Sequence, residues 1–178
     1  MKANKERYEV ILAGSGGQGL VLSGIILAEA AILEGNNVVQ TVSYGIATRG
    51  GFSMAEVIID KKEIIFQQVQ NADIVLTFTD EAMEKFQSLL DKGTTIVYDT
   101  TLLKTQRGER LHGHPFTDMA SKMCNVGMAN IIALAYMAMI NGMVGTESLT
   151  AVVKKRFSGK MLDMNLNALQ AGIDLAVR

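Results

Sequence analysis

The chain has 178 residues, 48% apolar and 20% charged, a composition that suits a soluble globular protein with one sizeable core. Its formal net charge of −1 creates no field that would recruit nucleic acid or a membrane surface. One cysteine, Cys124, excludes intramolecular disulfides, cysteine-rich zinc sites and an iron–sulfur cluster held by this chain alone.

The opening MKANKERYEV is charged and runs into a strand signal, YEVILAG, without the apolar stretch of a signal peptide. QGLVLSGIILAEAAILEG follows with helical spacing and Gly35 as its stop. NVVQTVSYG and FSMAEVIID read as the next strands. Only IATRGG separates them, too short for a parallel crossover, so an antiparallel pair is expected. ADIVLTF is a continuous apolar strand of the kind buried on both faces. TDEAMEKFQSLLDKG is a helix, with Thr79 or Asp80 as cap and Gly93 as stop.

TTIVYDT is a fifth strand, and Asp99 at its end is expected to cap a helix or close a turn. LLKTQRGERLHGHPF reads as a loop holding the single proline and both histidines, His112 and His114. Asn125 is a candidate cap for the apolar helix that ends near Asn141-Gly142, and Thr146 for ESLTAVVKKRF. The run Ile131 to Ile140 falls far short of the roughly 20 residues that span a bilayer. The last helix places Leu162, Leu166, Leu169, Ile173 and Ala176 on one stripe. Cys124 is expected to be semi-buried and structural, Lys154-Lys155-Arg156 a solvated helix end, and the late methionines core or interface filler. The prediction is an α/β, Rossmann-like single domain over 1–178 in the cytoplasm. Its sheet is mostly parallel with an antiparallel hairpin excursion and flanking helices, and its C-terminal third is helical.

Two loops carry the functional signal. Gly14-x-Gly16-x-x-Gly19 fits G-x-G-x-x-G between a strand and a helix, where open backbone and helix-terminal amides favour an anion. A dinucleotide site also needs an acid at the end of the second strand. Asp and Glu are absent from Gly35 to Phe52, and Glu34 belongs to the preceding helix. NAD is therefore disfavoured; a structural turn, another anion and a partner's cofactor edge stay open. The second loop, SYGIATRGGFSMAEV, sets Arg49 before Gly50 and Gly51 and five residues after Tyr44. Its guanidinium suits bidentate recognition of a carboxylate or phosphate.

Together, GSGGQGLVLSGIILAEAAILEG and SYGIATRGGFSMAEVII resemble the gamma subunit, or gamma domain, of the 2-oxoacid:ferredoxin oxidoreductases. Gamma chains of that family read G-x-G-G-Q-G and Y-G-x-x-x-R-G-G at these places. NVGMANIIALAYM and MLDMNLNALQAG look like its closing helices, and SYG looks most like the 2-oxoglutarate branch. The resemblance implies a multisubunit enzyme that decarboxylates a 2-oxoacid, passes the acyl group to coenzyme A and sends electrons to ferredoxin. It implies that thiamine diphosphate, magnesium and iron–sulfur clusters sit on thiamine-binding and ferredoxin-like partner chains, not on this one. Gly14, Gly16, Gly17, Gln18 and Gly19, with Tyr44, Arg49, Gly50 and Gly51, are the expected contacts to coenzyme A or to the partners' site. The competing readings are a stand-alone nucleotide-binding protein, a small NAD-linked oxidoreductase, and an assembly module that kept only the fold.

Overall fold

The computed structural model describes residues 5–45, 50–104, 106 and 108–177. β1 (Arg7–Ser15) leads through the glycine loop into α1 (Leu20–Leu33). β2 (Asn37–Tyr44) and β3 (Phe52–Asp60) follow, then β4 (Ile74–Thr77) and α2 (Asp80–Phe86). After β5 (Thr95–Asp99) and β6 (Leu111–His114) the chain is helical: α3 (Phe116–Lys122), α4 (Ala129–Asn141), α5 (Thr146–Arg156) and α6 (Gly159–Val177).

The six strands form one sheet in the order β2-β3-β1-β4-β5-β6. β1, β4, β5 and β6 run parallel, and β3 is antiparallel to both β1 and β2. The expected hairpin is present, from Asn37↔Asp60 to Tyr44↔Ser53, and it inserts β3 between β1 and β2. β4 is buried over its whole length, as its unbroken apolar run predicts.

Alternate residues of the strands feed two cores. Val10, Leu12, Ile74, Leu76 and Val97 face α1 and the helices after β6, whereas Ile11, Ala13, Val75, Ile96 and Tyr98 face α2. Each fully buried leucine or isoleucine here contributes about 1.5–3 kcal/mol by leaving water. α4 is the central prop of the first core, with Ala129 through Ala138 all buried. α6 packs on it along Asn165, Ala168, Leu169 and Gly172; Leu162, Leu166, Ile173 and Ala176 flank that line half-buried.

Several local expectations are corrected. The segment read as a loop around the histidines contains strand β6, whose Leu111–His114 pairs with Ile96–Asp99. Gly113 and a run of four residues give no strand signal; the free edge of β5 supplies the ladder. The helix begun at Thr79, whose hydroxyl accepts from the Ala82 amide at 3.2 Å, turns into a 3-10 turn over Gln87–Lys92. Asn125 caps the short 3-10 turn Val126–Met128 that leads into α4, accepting from the Gly127 amide at 3.0 Å. Thr146 is the first residue of α5 and the extended Gly145 takes the cap position, its amide donating to the Glu34 carboxylate at 2.7 Å. Cys124 is exposed and left-handed (φ 61), which corrects the semi-buried reading. Among the described residues no helix is long and apolar enough to cross a membrane.

Candidate functional site

β1 continues into α1 on one face of the sheet and β4 into α2 on the other, so a crevice opens where the two connections part, at the carboxyl ends of the strands. The glycine loop lies there. The Gln18 side chain folds back along it: Oε1 accepts from the Ser15 amide at 2.8 Å and Nε2 donates to the Phe78 carbonyl at 3.3 Å. This occupies the space beside Gly14, where a Cβ would come within 2.3 Å of Gln18 Oε1 and 2.8 Å of Leu20. Gln18 is thus a strut that ties the loop to the end of β4, with its amide turned inward.

Gly19 sits at the N-cap of α1 with φ 74, a conformation costly for any residue with a Cβ. Asn130 of α4, 2% exposed, donates from Nδ2 to the Gly19 carbonyl at 2.8 Å. No side chain caps α1 and no acid stands in its first turn. Its leading amides therefore suit an incoming anion.

Among the described residues the second loop meets the first through a backbone bond: the Gly16 amide donates to the Gly51 carbonyl at 2.9 Å. Gly50 lies alongside, its nitrogen 3.9 Å from the position of a Cβ on Gly16. Tyr44, at the end of β2, is 71% exposed and reaches no partner among the described hydrogen bonds. Arg49 lies outside the described residues. The structure therefore joins Gly16 to Gly50 and Gly51, presents Gly17 and Gly19 in the same loop, and leaves Tyr44 on the surface.

A cavity of about 240 Å³ adjoins the glycine loop, with Gly17 and Gln18 on one side and Phe78, Leu102, Thr117 and Val126 on the others. These four residues, and Asn130, were not singled out from the sequence. They lie after β4, after β5 and around α3 and α4, and only the tertiary fold gathers them. Their one legible signal is NVGMAN, which carries both Val126 and Asn130. Behind this wall Asp99 is fully buried, with Oδ1 accepting from the Thr101 amide at 2.8 Å and Oδ2 from the Thr117 amide at 2.9 Å and hydroxyl at 2.5 Å. That is the expected turn role, and it fixes the start of α3.

Glu34 is spent elsewhere. Its carboxylate bonds Gly145 at the far end of α1, about 21 Å from the glycine loop at 1.5 Å per residue. No ribose acid is supplied by that residue. A larger cavity of about 400 Å³ opens at the opposite, amino end of the strands, where Lys5, Arg7, Glu9 and Asp73 of its lining are held in ion pairs. Lys5 pairs with Asp73, and Arg7 with Glu9 at 2.7 Å and Asp60 at 3.1 Å. Burial pushes the Glu9 carboxyl up, yet bonds from the Asn71 amide, Arg7 and the Gln70 amide outweigh it and hold the group below its ordinary range. This cluster secures the segment between β3 and β4.

His112 and His114 both face Tyr136. His112 Nδ1 lies 2.9 Å from the Tyr136 hydroxyl, and the His114 ring stands edge-on to Tyr136 at 4.4 Å. Burial, and then the neighbouring His112, lowers the His114 pKa. Among the described residues no three His, Cys, Asp or Glu side chains gather to hold a metal.

A family model described as pyruvate ferredoxin/flavodoxin oxidoreductase matches residues 9–175. The chain is 36% identical over 168 residues to the 2-oxoglutarate synthase subunit KorC of Archaeoglobus fulgidus, covering 94% of this chain and 87% of that one. It superposes with TM-score 0.80 and 32% identity on the gamma subunit of a keto/oxoacid ferredoxin oxidoreductase from Geobacter sulfurreducens, covering 96% of this chain and 98% of that one. In fold it also matches 98% of its length to 32% of a chain of the Magnetococcus marinus 2-oxoglutarate:ferredoxin oxidoreductase, with TM-score 0.86 and 24% identity. With its two glycine loops joined at the head of a six-stranded sheet, and with likeness along nearly its whole length, this chain belongs to the pyruvate ferredoxin/flavodoxin oxidoreductase family.

Proposed function

We propose that this gamma subunit of a 2-oxoacid:ferredoxin oxidoreductase serves a cytoplasmic enzyme whose oxoacid is 2-oxoglutarate, and that the whole chain acts as one domain holding coenzyme A against the partner chains. The substrate follows the KorC relatives, four of which match at 31–36% identity over nearly their full lengths. The observation that carries the ligand is the join of the two loops through Gly16 and Gly51, beside uncapped helix amides and a partly apolar cavity. Coenzyme A combines phosphates with apolar and ring surface, and such a site offers something to each.

The residues present support a division of labour. A single exposed cysteine cannot supply the thiolates of an iron–sulfur cluster. Thiamine diphosphate and the clusters, which supply the carbon chemistry and the electron path, belong to partner chains. On this chain the Gly17 and Gly19 amides and the Arg49 guanidinium hold phosphate, the Gln18 side chain fixes the loop, and Phe78, Leu102 and Val126 offer apolar surface beside it.

The test is steady-state kinetics of the assembled complex carrying Arg49→Ala or Val126→Glu. Val126 is 54% exposed, so the substitution leaves the fold intact while setting a carboxylate beside the ligand's phosphates. Both variants are expected to raise the KM for coenzyme A at least tenfold with the KM for the oxoacid unchanged. Parental coenzyme A kinetics in both would overturn the contact. A complex that turns over pyruvate faster than 2-oxoglutarate would overturn the substrate.

A further inference from the structure

The two edges of the sheet are built differently. β6 is four residues long and β2 is eight. Short or charged edge strands resist pairing with other chains, and long neutral ones invite it. β2, NVVQTVSY, has no charge, no proline and no glycine, and it keeps an unbroken register with β3. Among the described residues only β3 bonds to its backbone ladder, so the alternate amides and carbonyls on its other side point outward.

The flank above this edge is also apolar. Val38 packs on the core that holds α1, and Gln40 Nε2 donates to the Val21 carbonyl of α1 at 3.2 Å, so Val38, Gln40 and Val42 face α1. Val21, Ile25 and Ile32 lie at helical spacing on one stripe of α1; the first two are half-buried and Ile32 is 57% exposed. Val42 is 37% exposed.

From this we infer that β2 is a pairing edge through which two copies of this chain join, antiparallel and about a two-fold axis, into one continuous sheet. A lone extended peptide would complete the ladder but leave the α1 stripe in water, whereas a second copy brings its own α1 alongside. The strand is also self-complementary. A two-fold centred on Gln40 sets Val38 opposite Val42 of the second copy, Val39 opposite its Thr41 and Gln40 opposite its Gln40, with no like charges meeting. Eight residues at about 3.4 Å make a flank roughly 27 Å long. One sheet layer plus one helix makes it about 20 Å high. The flat footprint is then about 540 Å², two thirds of the ~800 Å² per partner of a standard interface, and side-chain relief adds to it.

The test uses the full chain, first alone and then in the assembled complex. Native mass spectrometry and light scattering at micromolar concentration should give a dimer, with the β2 amides slow in hydrogen exchange. Val42→Lys and, separately, Ile32→Lys place charge on exposed positions of the flank. Each should yield a monomer with unchanged circular dichroism and fast-exchanging β2 amides. A wild-type chain that stays monomeric, including one whose β2 amides slow only when partner subunits are added, overturns the proposal. So does a dimer that both lysine variants leave intact.

Discussion

Asn130 and Gly19 are 111 positions apart in sequence and within 2.8 Å in space, the Asn130 amide nitrogen donating to the glycine carbonyl. A Cβ on Gly19 would lie 2.4 Å from that nitrogen, and the backbone there is left-handed. Gly19→Ala therefore incurs both conformational strain and a clash, and a loss of about 2–4 kcal/mol is expected. Asn130→Ala removes one buried hydrogen bond and leaves a small cavity, for about 1–3 kcal/mol. The double variant should be less destabilised than the sum of the two, because alanine at 130 makes room for the new methyl. Urea denaturation of all four proteins measures this coupling; strict additivity would mean that the clash is relieved elsewhere.

Gln18 acts on the loop without being free to touch a ligand. Gln18→Ala removes the bonds to the Ser15 amide and the Phe78 carbonyl, and an expected loss of about 1–2 kcal/mol accompanies a looser loop. In the assembled complex the KM for coenzyme A should rise, and it should rise further in Gln18→Glu, whose carboxylate faces the Phe78 carbonyl and adds negative charge to the loop. Equal kinetics for Ala, Glu and parent would remove Gln18 from the site.

Acid stability should fall in two windows. His114 has a lowered pKa, so the unfolded chain binds its proton more readily than the folded one. Its contribution is intact above the ordinary histidine value of 6.5 and is lost as pH falls through that value toward the folded one. His114→Phe keeps a ring against Tyr136 and Phe116 and removes the proton. Thermal melts of the parent should decline just below 6.5, and those of this variant should not.

The second window belongs to Glu9 and Asp60, whose pKa values are both held down against the opposing effect of burial. Their stabilisation is present above the ordinary 4.5 and 3.8 and is lost as pH falls through their folded values. Glu9→Gln should weaken the chain at neutral pH, since Arg7 keeps only Asp60 as partner, and should flatten the acid limb. Proteolysis near Gln70 and Asn71, whose amides Glu9 holds at 2.7 Å each, is the local readout. An unchanged acid limb would place the titration on other carboxylates.

Much of this fold was legible because local patterns agreed with the final environment. β4 reads as unbroken apolar residues because it is covered on both faces; β2 and β3 read as a hairpin because six residues cannot cross over. The paired glycine loops were legible as motifs, since glycine records a backbone demand wherever it stands. By itself the sequence determined the α/β class, the strand-to-helix turn at Gly14–Gly19 and a cysteine count of one. What it did not contain was adjacency. Strand β6 exists because β5 offers a ladder; Cys124 is exposed because the chain turns left-handed between α3 and α4. Phe78, Leu102, Thr117, Val126 and Asn130 meet the glycine loop only because the parallel strands end at one level and deliver their following segments to one crevice. Contacts between distant residues follow from sheet order and register, and these are set by the burial of both faces at once, a property of the whole chain that no short stretch carries.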